Sequence, residues 1–362
     1  DNIVSDQEHV CNIFNQFFSD VATNIGFTDN IDSIESVDDI ELLETMYNDH
    51  PSIKAISSQN KVTSNFTFEK VTHKQVDKFL SQINTGKSAG YDTMPPKLVK
   101  IGKGPLTNHI TKLINEMYDK SQFPDLLKLA EVSAAHKKED NLIRNNYRPI
   151  SILTILGKIF ETTIADNLVK IFEHIFSPFL SAYRKHYSTQ DVLLKFVEDC
   201  KKHVDNNEHV IAIMMDLSKA FDCIPHGLLI AKLKAYGLTN ESCLLLTSYL
   251  QNRKQRVKLG NHRSDWVNLV KGIPQGSNLG PILFNVFIND VFMFVNNSML
   301  YNYADDNTLL CNSPDPTIAK QLIQKDADTM IHWFSDNGFQ ANPGKFQVIH
   351  FSKSYCALWP LP

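Results

Sequence analysis

The sequence predicts an α+β fold, helices set against a sheet, on three observations. Val210-Ile211-Ala212-Ile213-Met214-Met215 is a continuous apolar run without alternation, the pattern of a strand buried on both faces. Two short apolar runs, Met299-Leu300-Tyr301 and Leu309-Leu310-Cys311, flank the tip Tyr303-Ala304-Asp305-Asp306 and read as a hairpin. Apolar residues at helical spacing recur at 10–25, 110–117 and 318–334.

In chain order, Val10, Ile13, Phe14, Phe17, Phe18, Val21 and Ile25 predict an opening amphipathic helix. Residues 26–65 are polar and acidic with scattered apolar positions, and read as a linker or a loosely packed segment. Val76, Phe79, Leu80 and Ile83 predict a helix ending near Gly86, a C-cap. Ile110, Leu113, Ile114 and Met117 mark the next helix. The run 210–215 ends abruptly in Asp216, which would project from the end of a central strand; a helix N-cap is the other reading.

Residues 271–281 hold three glycines and two prolines, which make a shaped loop. Pro281 then opens a helix with an apolar stripe at Leu283, Val286, Phe287 and Val291. Such a loop lets backbone N–H groups approach a phosphate or a flat ring, although a plain strand-to-helix connection uses the same residues. Asp305 and Asp306 can share one site only at a tight turn or a strand end. Like charges held that close raise one pKa unless a cation intervenes. Oxygen ligands suit Mg²⁺ or Mn²⁺, while Asp-Asp-Asn is also an ordinary polar turn.

At 362 residues, 43% apolar and 21% charged, the chain can bury a substantial core and hold two or three subdomains. The net charge of −4 hides an asymmetry: residues 1–80 carry 5 basic and 14 acidic side chains, the remainder 31 and 26. Arg253-Lys254-Gln255-Arg256-Val257-Lys258 alternates partly like a strand that presents charge to a phosphate backbone; a solvated edge hairpin is the other reading. Cys11, Cys200, Cys223, Cys243, Cys311 and Cys356 lie far apart without a C-x-x-C. That argues against zinc and for reduced thiols in an intracellular protein, nuclear or cytoplasmic. No stretch approaches an uncharged membrane span. The chain starts at Asp1 and reads as a piece of something longer.

Three motifs now fall in a recognisable order. Asp216 with Ala220-Phe221-Asp222, then Gly272-Ile273-Pro274-Gln275-Gly276-Ser277, then Tyr303-Ala304-Asp305-Asp306, resemble the core motifs of a reverse transcriptase. The resemblance is closest to retrotransposons lacking long terminal repeats, the LINE type. Asn146-Tyr147-Arg148-Pro149-Ile150-Ser151 resembles that family's fingers motif, and residues 181–194 its next segment. Asn342-Pro343-Gly344-Lys345, followed by Val348-Ile349-His350-Phe351, resembles the lysine-bearing motif after the catalytic hairpin. Ser88-Ala89-Gly90-Tyr91-Asp92 and Phe123-Pro124 have counterparts in the N-terminal extension, so the resemblance covers roughly residues 86–351.

The resemblance implies the fingers and palm of a right-hand polymerase, with an antiparallel palm sheet backed by helices. Residues 1–85 would form a helical extension and acidic linker, 86–130 a fingers extension, 131–352 fingers and palm, and 353–362 an irregular tail. A helical thumb would be missing and processivity low. The implied activity is RNA-directed DNA polymerisation, with an RNA template, a DNA primer and deoxynucleoside triphosphates as partners and no membrane. Asp216 and Asp305 would bridge two Mg²⁺ ions (Mn²⁺ also fits), with Asp306 as third carboxylate.

Arg148 resembles the fingers residue that reaches the triphosphate, a task Lys137 or Lys138 could share. Phe221 resembles the bulky residue that crowds the sugar 2′ position, with a core aromatic as the alternative. Gln275 and Gly276 resemble the loop that supports the template strand and nascent base pair. Lys345 would donate a proton to pyrophosphate, and Asp222 reads as structural. Several positions depart from the pattern: Ala134-Ala135-His136, Glu139, Ala182-Tyr183 for Gly-Phe, His186 for glycine, and Asn278 where an apolar residue is usual. They suit a diverged copy, so the competing reading is a nucleic-acid-binding remnant that folds but does not turn over. A group II intron maturase and an RNA-templated RNA polymerase are enzymatic rivals, the latter opposed by Phe221.

Overall fold

The apolar run at 210–215 is a strand, and both arms of the Asp-Asp hairpin are strands. The computed structural model describes residues 4, 6–29, 31–59, 65–137 and 140–353. Its α-helices are α1 (Gln7–Asn24), α2 (Val37–Tyr47), α3 (Pro51–Ser58), α4 (His73–Ser81), α5 (Pro96–Ile101), α6 (Lys103–Lys120), α7 (Ile155–Phe172), α8 (Thr189–Asp205), α9 (Ala220–Cys223), α10 (His226–Ala235), α11 (Asn240–Leu250), α12 (Gly280–Ile288) and α13 (Pro316–Asp336). The strands are β1 (Leu129–His136), β2 (Tyr147–Ile152), β3 (His209–Met215), β4 (Lys254–Leu259), β5 (His262–Arg263), β6 (Val267–Asn268), β7 (Met299–Tyr303), β8 (Asp306–Ser313) and β9 (Gln347–Phe351). The fold is α+β. The chain divides into two compact units, Asp1–His174 with Phe221–Leu283, and Ile175–Ala220 with Phe284–Pro362.

The first unit carries a mixed sheet in the order β2-β1-β4-β5, with β6 also on β4. β1 runs antiparallel to β2 and parallel to β4. The predicted opening helix is α1, whose Cys11, Phe17 and Phe18 bury against Val132 of β1 and Val257 of β4. Residues 26–65 contain two helices where a linker was expected. Ser36 and Asp39 form a capping box at α2, which places Asp38 and Asp39 where the helix dipole favours negative charge. Ile40, Leu43, Ile53 and Ile56 are buried, so the few apolar positions there suffice to dock both helices. α4 ends at Ser81, before the expected Gly86, because Gln82 takes the C-cap.

The basic alternation at 253–258 also resolves differently from a displayed phosphate-binding strand. Buried Glu131 on β1 receives Arg256 at 2.6 Å, Arg263 at 2.9 Å and Lys258 at 3.4 Å. Burial pushes the Glu131 carboxyl up, but its hydrogen bonds from Arg263 and Arg256, with the Lys258 charge, outweigh this and hold it below its ordinary value. Arg253 is itself buried. Parallel pairing of β4 on β1 brings Arg256 and Lys258, still partly exposed, onto a buried partner some 125 residues away.

The second unit carries an antiparallel sheet in the order β7-β8-β3-β9. Ser188 and Asp191 form a capping box that starts α8, and Asp315 caps α13 ahead of Pro316. On one face, Val210, Tyr301 and Leu310 bury with Cys200 of α8, joined by Phe196, Val204 and Phe351. α13 also packs on β3 and β8. β3 is thus the buried centre that its unbroken apolar run predicts.

α12 is wider in its burial than the expected stripe, since Leu283, Phe284, Val286, Phe287 and Ile288 are all fully buried. The five described cysteines are free and buried. Among the described residues, no helix is long and apolar enough to cross a membrane.

Candidate active site

The second unit brings four of the predicted site residues together: Asp216, Asp305, Asp306 and Lys345. The hairpin β7–β8 closes from the pair Tyr303↔Asp306, leaving Ala304 and Asp305 as its two turn residues. Ala304 has φ +57°, a left-handed conformation that costs an L-residue about 1–2 kcal/mol. Two buried asparagines offset that cost. Asn302 Nδ2 donates to the Ala304 carbonyl at 2.7 Å and to Asn307 Oδ1 at 3.0 Å, while Asn307 Nδ2 donates to the Asp305 carbonyl at 3.1 Å. Sequence reasoning missed this brace; the symmetric placement of Asn302 and Asn307 about the tip was its signal.

β3 and β8 pair antiparallel up to Met215↔Asn307, so one step further the register sets Asp216 across from Asp306. Asp216 is anchored by its backbone, whose carbonyl accepts from Asn342 N at 3.0 Å. Its Oδ2 accepts from Lys345 Nζ at 2.9 Å and from Asn342 Nδ2 at 3.2 Å. The lysine expected to meet pyrophosphate therefore stands on the Asp216 carboxylate.

Partial burial, then the charges of Asp305 and Asp216, push the Asp306 carboxyl above its ordinary value, with Lys345 opposing. Tyr183 belongs to this neighbourhood as well. Partial burial, then the charges of Asp305 and Tyr303, push its hydroxyl up. Sequence reasoning registered Tyr183 only as a departure from phenylalanine; the added hydroxyl was the signal. His186, another departure, has φ +68°, which explains why glycine is usual there.

A carboxyl whose folded pKa is raised opposes folding once ionised. Stability is then full below the unfolded value of about 3.9 and is lost as pH rises through the folded value. Asp306→Asn is accordingly expected to raise Tm at pH 7, with the gain vanishing below about pH 4. Thermal melts of both proteins across that range check this, and a gain that persisted at pH 3 would contradict it.

The first unit holds the remaining described positions. Arg148 is exposed on β2 across from Ala135. Lys137 is exposed just past β1, its N–H donating to the Asn146 carbonyl at 2.8 Å. Lys138 lies outside the described residues. Phe221 is half-buried, and its carbonyl accepts from Ile273 N at 2.9 Å.

The loop at 272–280, read as a backbone approach to a phosphate or a flat ring or as a plain connection, spends most of its N–H groups inside the protein. The N–H groups of Gly272, Ile273, Ser277, Asn278, Leu279 and Gly280 are already donated within the protein. Those of Gln275 and Gly276 are uncommitted among the described residues. Gly276, at φ +119°, lies so close to β2 that a Cβ would stand 2.6 Å from the Ser151 carbonyl oxygen. Gln275 Nε2 donates to both Asp222 oxygens, at 2.9 and 3.0 Å. Asp222 thus orients the Gln275 side chain, in keeping with the structural role read from sequence.

Three carboxylates offer only hard oxygen donors, the chemistry that fits Mg²⁺ or Mn²⁺; the charges of Asp305 and Asp216, which add to burial in raising the Asp306 pKa, are a repulsion that a divalent cation would relieve. Among the described residues, no group of three or more His, Cys, Asp or Glu is placed to hold a metal ion. Oxygens from substrate or water would have to complete any coordination sphere.

A family model described as reverse transcriptase (RNA-dependent DNA polymerase) matches residues 135–358. The chain is 30% identical over 285 residues to the probable RNA-directed DNA polymerase from transposon X-element of Drosophila melanogaster, a match covering 77% of this chain and 31% of that protein. It is 25% identical over 292 residues to the RNA-directed DNA polymerase from mobile element jockey of the same species, covering 78% and 32%. The corresponding probable enzyme from transposon BS is 28% identical over 275 residues, covering 72% and 30%. The chain spans about a third of the length of these curated relatives. With the motifs in order, a carboxylate hairpin beside Asp216 and a family match over more than half its length, the chain belongs to the reverse transcriptase family, on its LINE-type side.

Proposed function

We propose that this chain copies RNA into DNA by adding deoxynucleotides to a primer 3′-hydroxyl. The observation that carries the reading is the acid cluster, in which Asp216 at the end of β3 faces the Asp305-Asp306 turn with Lys345 on its carboxylate. Asp216, Asp305 and Asp306 would hold two Mg²⁺ ions, or Mn²⁺, which when bound neutralise charge on the attacking and leaving oxygens of the phosphoryl transfer. Lys345 leaves Asp216 as substrate arrives and gives its proton to the departing pyrophosphate.

Arg148, exposed and with no ion pair among the described residues, grips triphosphate oxygens with its planar fork, and Lys137 and Lys138 add positive charge. Phe221 crowds the sugar 2′ position. Gln275 and Gly276 meet the template strand and nascent pair through amides that the protein leaves uncommitted. We read the four-stranded sheet of the second unit as the palm, within a fingers and palm region of residues 131–352. Residues 1–85 and 86–130 are read as N-terminal and fingers extensions.

The test is single-nucleotide incorporation on an RNA template with a DNA primer. Wild type is expected to add the complementary deoxynucleotide with Mg²⁺, to stop on chelation with EDTA, and to resume when Mg²⁺ is restored. No incorporation, with RNA–DNA binding intact, would favour the non-catalytic remnant.

A further inference from the structure

A carboxylate that the reaction does not use lies behind the loop at 272–280. Glu161 of α7 is 1% exposed, and both of its oxygens point to donors that bear on this loop. Oε2 accepts from the Asn278 N–H at 2.8 Å, and Oε1 accepts from the Tyr249 hydroxyl at 2.9 Å. Tyr249 in turn lies 3.0 Å from Ser277 Oγ, which accepts from the amides of Leu279 and Gly280 at 3.0 and 2.9 Å. The Asn278 side chain reaches back to α7, donating to the Lys158 carbonyl at 3.2 Å and to Thr162 Oγ1 at 3.0 Å. Asn278, where an apolar residue is usual in the family, is thus pinned to one helix through both its backbone and its amide.

The proton directions make the carboxylate specific. Leu279 and Gly280 donate to Ser277, Ser277 can donate to Tyr249, and Tyr249 donates to Glu161, so the chain ends on an acceptor. An amide in its place would turn an NH₂ toward either the Tyr249 hydroxyl or the Asn278 N–H, and one donor would lose its acceptor. Burial pushes the Glu161 carboxyl up, opposed by the charge of buried Arg253, whose Nη1 donates to the Tyr249 carbonyl at 3.1 Å. A buried ion is costly to desolvate, and packing alone would be better served by an apolar side chain.

We propose that Glu161 is a positioning residue: through Asn278, and through Tyr249 and Ser277, it fixes the Gln275-Gly276 turn against which template and nascent base pair are held. This rests on the reading of that turn as template-side support.

The experiment compares wild type, Glu161→Gln and Tyr249→Phe in the full chain by two readouts. Amide hydrogen exchange in Glu161→Gln is expected to speed at least about tenfold at residues 277–280, whose N–H groups are committed, with β3 amides unchanged. Incorporation kinetics well below Tm are expected to show KM for template–primer raised about tenfold, with kcat changed less than about threefold. Tyr249→Phe, nearly isosteric, should show the same pattern in weaker form and serves if Glu161→Gln does not fold. Unchanged exchange at 277–280 would overturn the proposal, as would faster exchange with wild-type KM. If wild type proves inactive, the activity reading fails by itself, and Kd for an RNA–DNA duplex replaces KM. A Kd raised in Glu161→Gln would then support the positioning role, and an unaltered Kd would overturn it.

Discussion

Asp216→Asn and Asp305→Asn are each expected to lower single-nucleotide incorporation by at least about 10²–10³-fold, the scale on which one lost transition-state charge contact is felt. Folding should survive both changes. Asparagine at 216 keeps an oxygen for Lys345 and Asn342 and leaves the backbone bond from Asn342 N untouched. At 305 the turn is braced through the backbone carbonyl, which Asn307 holds at 3.1 Å, so the side chain is free to change. Thermal melts within a few degrees of wild type would accompany the loss of rate. A variant that kept more than a tenth of wild-type incorporation would remove its carboxylate from the proposed metal-holding set.

Gly272→Ala is expected to destabilise the protein by roughly 2–4 kcal/mol, combining left-handed strain with overpacking. Gly272 has φ +78°, and a Cβ there would stand 2.6 Å from the Asp222 carbonyl oxygen and 2.8 Å from Asp222 C and Cα. These are backbone atoms and cannot rotate away. The Gly272 carbonyl is also held, at 2.7 Å, by buried His226 Nε2. Displacing Asp222 would misplace the Gln275 amide that it grips, so nucleotide incorporation should fall as well. Gly260→Ala is the control, because Gly260 shares a positive φ of +58° but has open space about its would-be Cβ. Its cost should be only the conformational part, about 1–2 kcal/mol. Urea unfolding of both variants decides the matter, and equal losses would rule out the close approach as the cause.

Much of the candidate site was legible because its signals are local. Asp305 and Asp306 stand at a hairpin tip because short apolar runs bracket them, and Asp216 ends a strand because the apolar run stops there. Less legible was what each group touches. The glycine loop left a phosphate, a flat ring and a plain connection open; most of its amides are committed inside the protein, with Gln275 and Gly276 as the open positions among the described residues. Lys345 was tied to a motif, but its contact with Asp216 follows from pairing of residues about 129 apart in sequence.

The sequence by itself determined the buried strand β3, the β7–β8 hairpin with its paired acids, the amphipathic helix over 318–334, and the order of the motifs. Periodicity, turn chemistry and capping act over a few residues, so a short window contains their cause. Only the tertiary structure decided that residues 37–58 dock as helices, that Arg256, Lys258 and Arg263 converge on Glu131, and that Glu161 reaches the loop at 272–280. Each of these depends on register and packing between segments far apart in the chain. There a buried charge or a lone apolar residue takes its meaning from a partner that no local window contains.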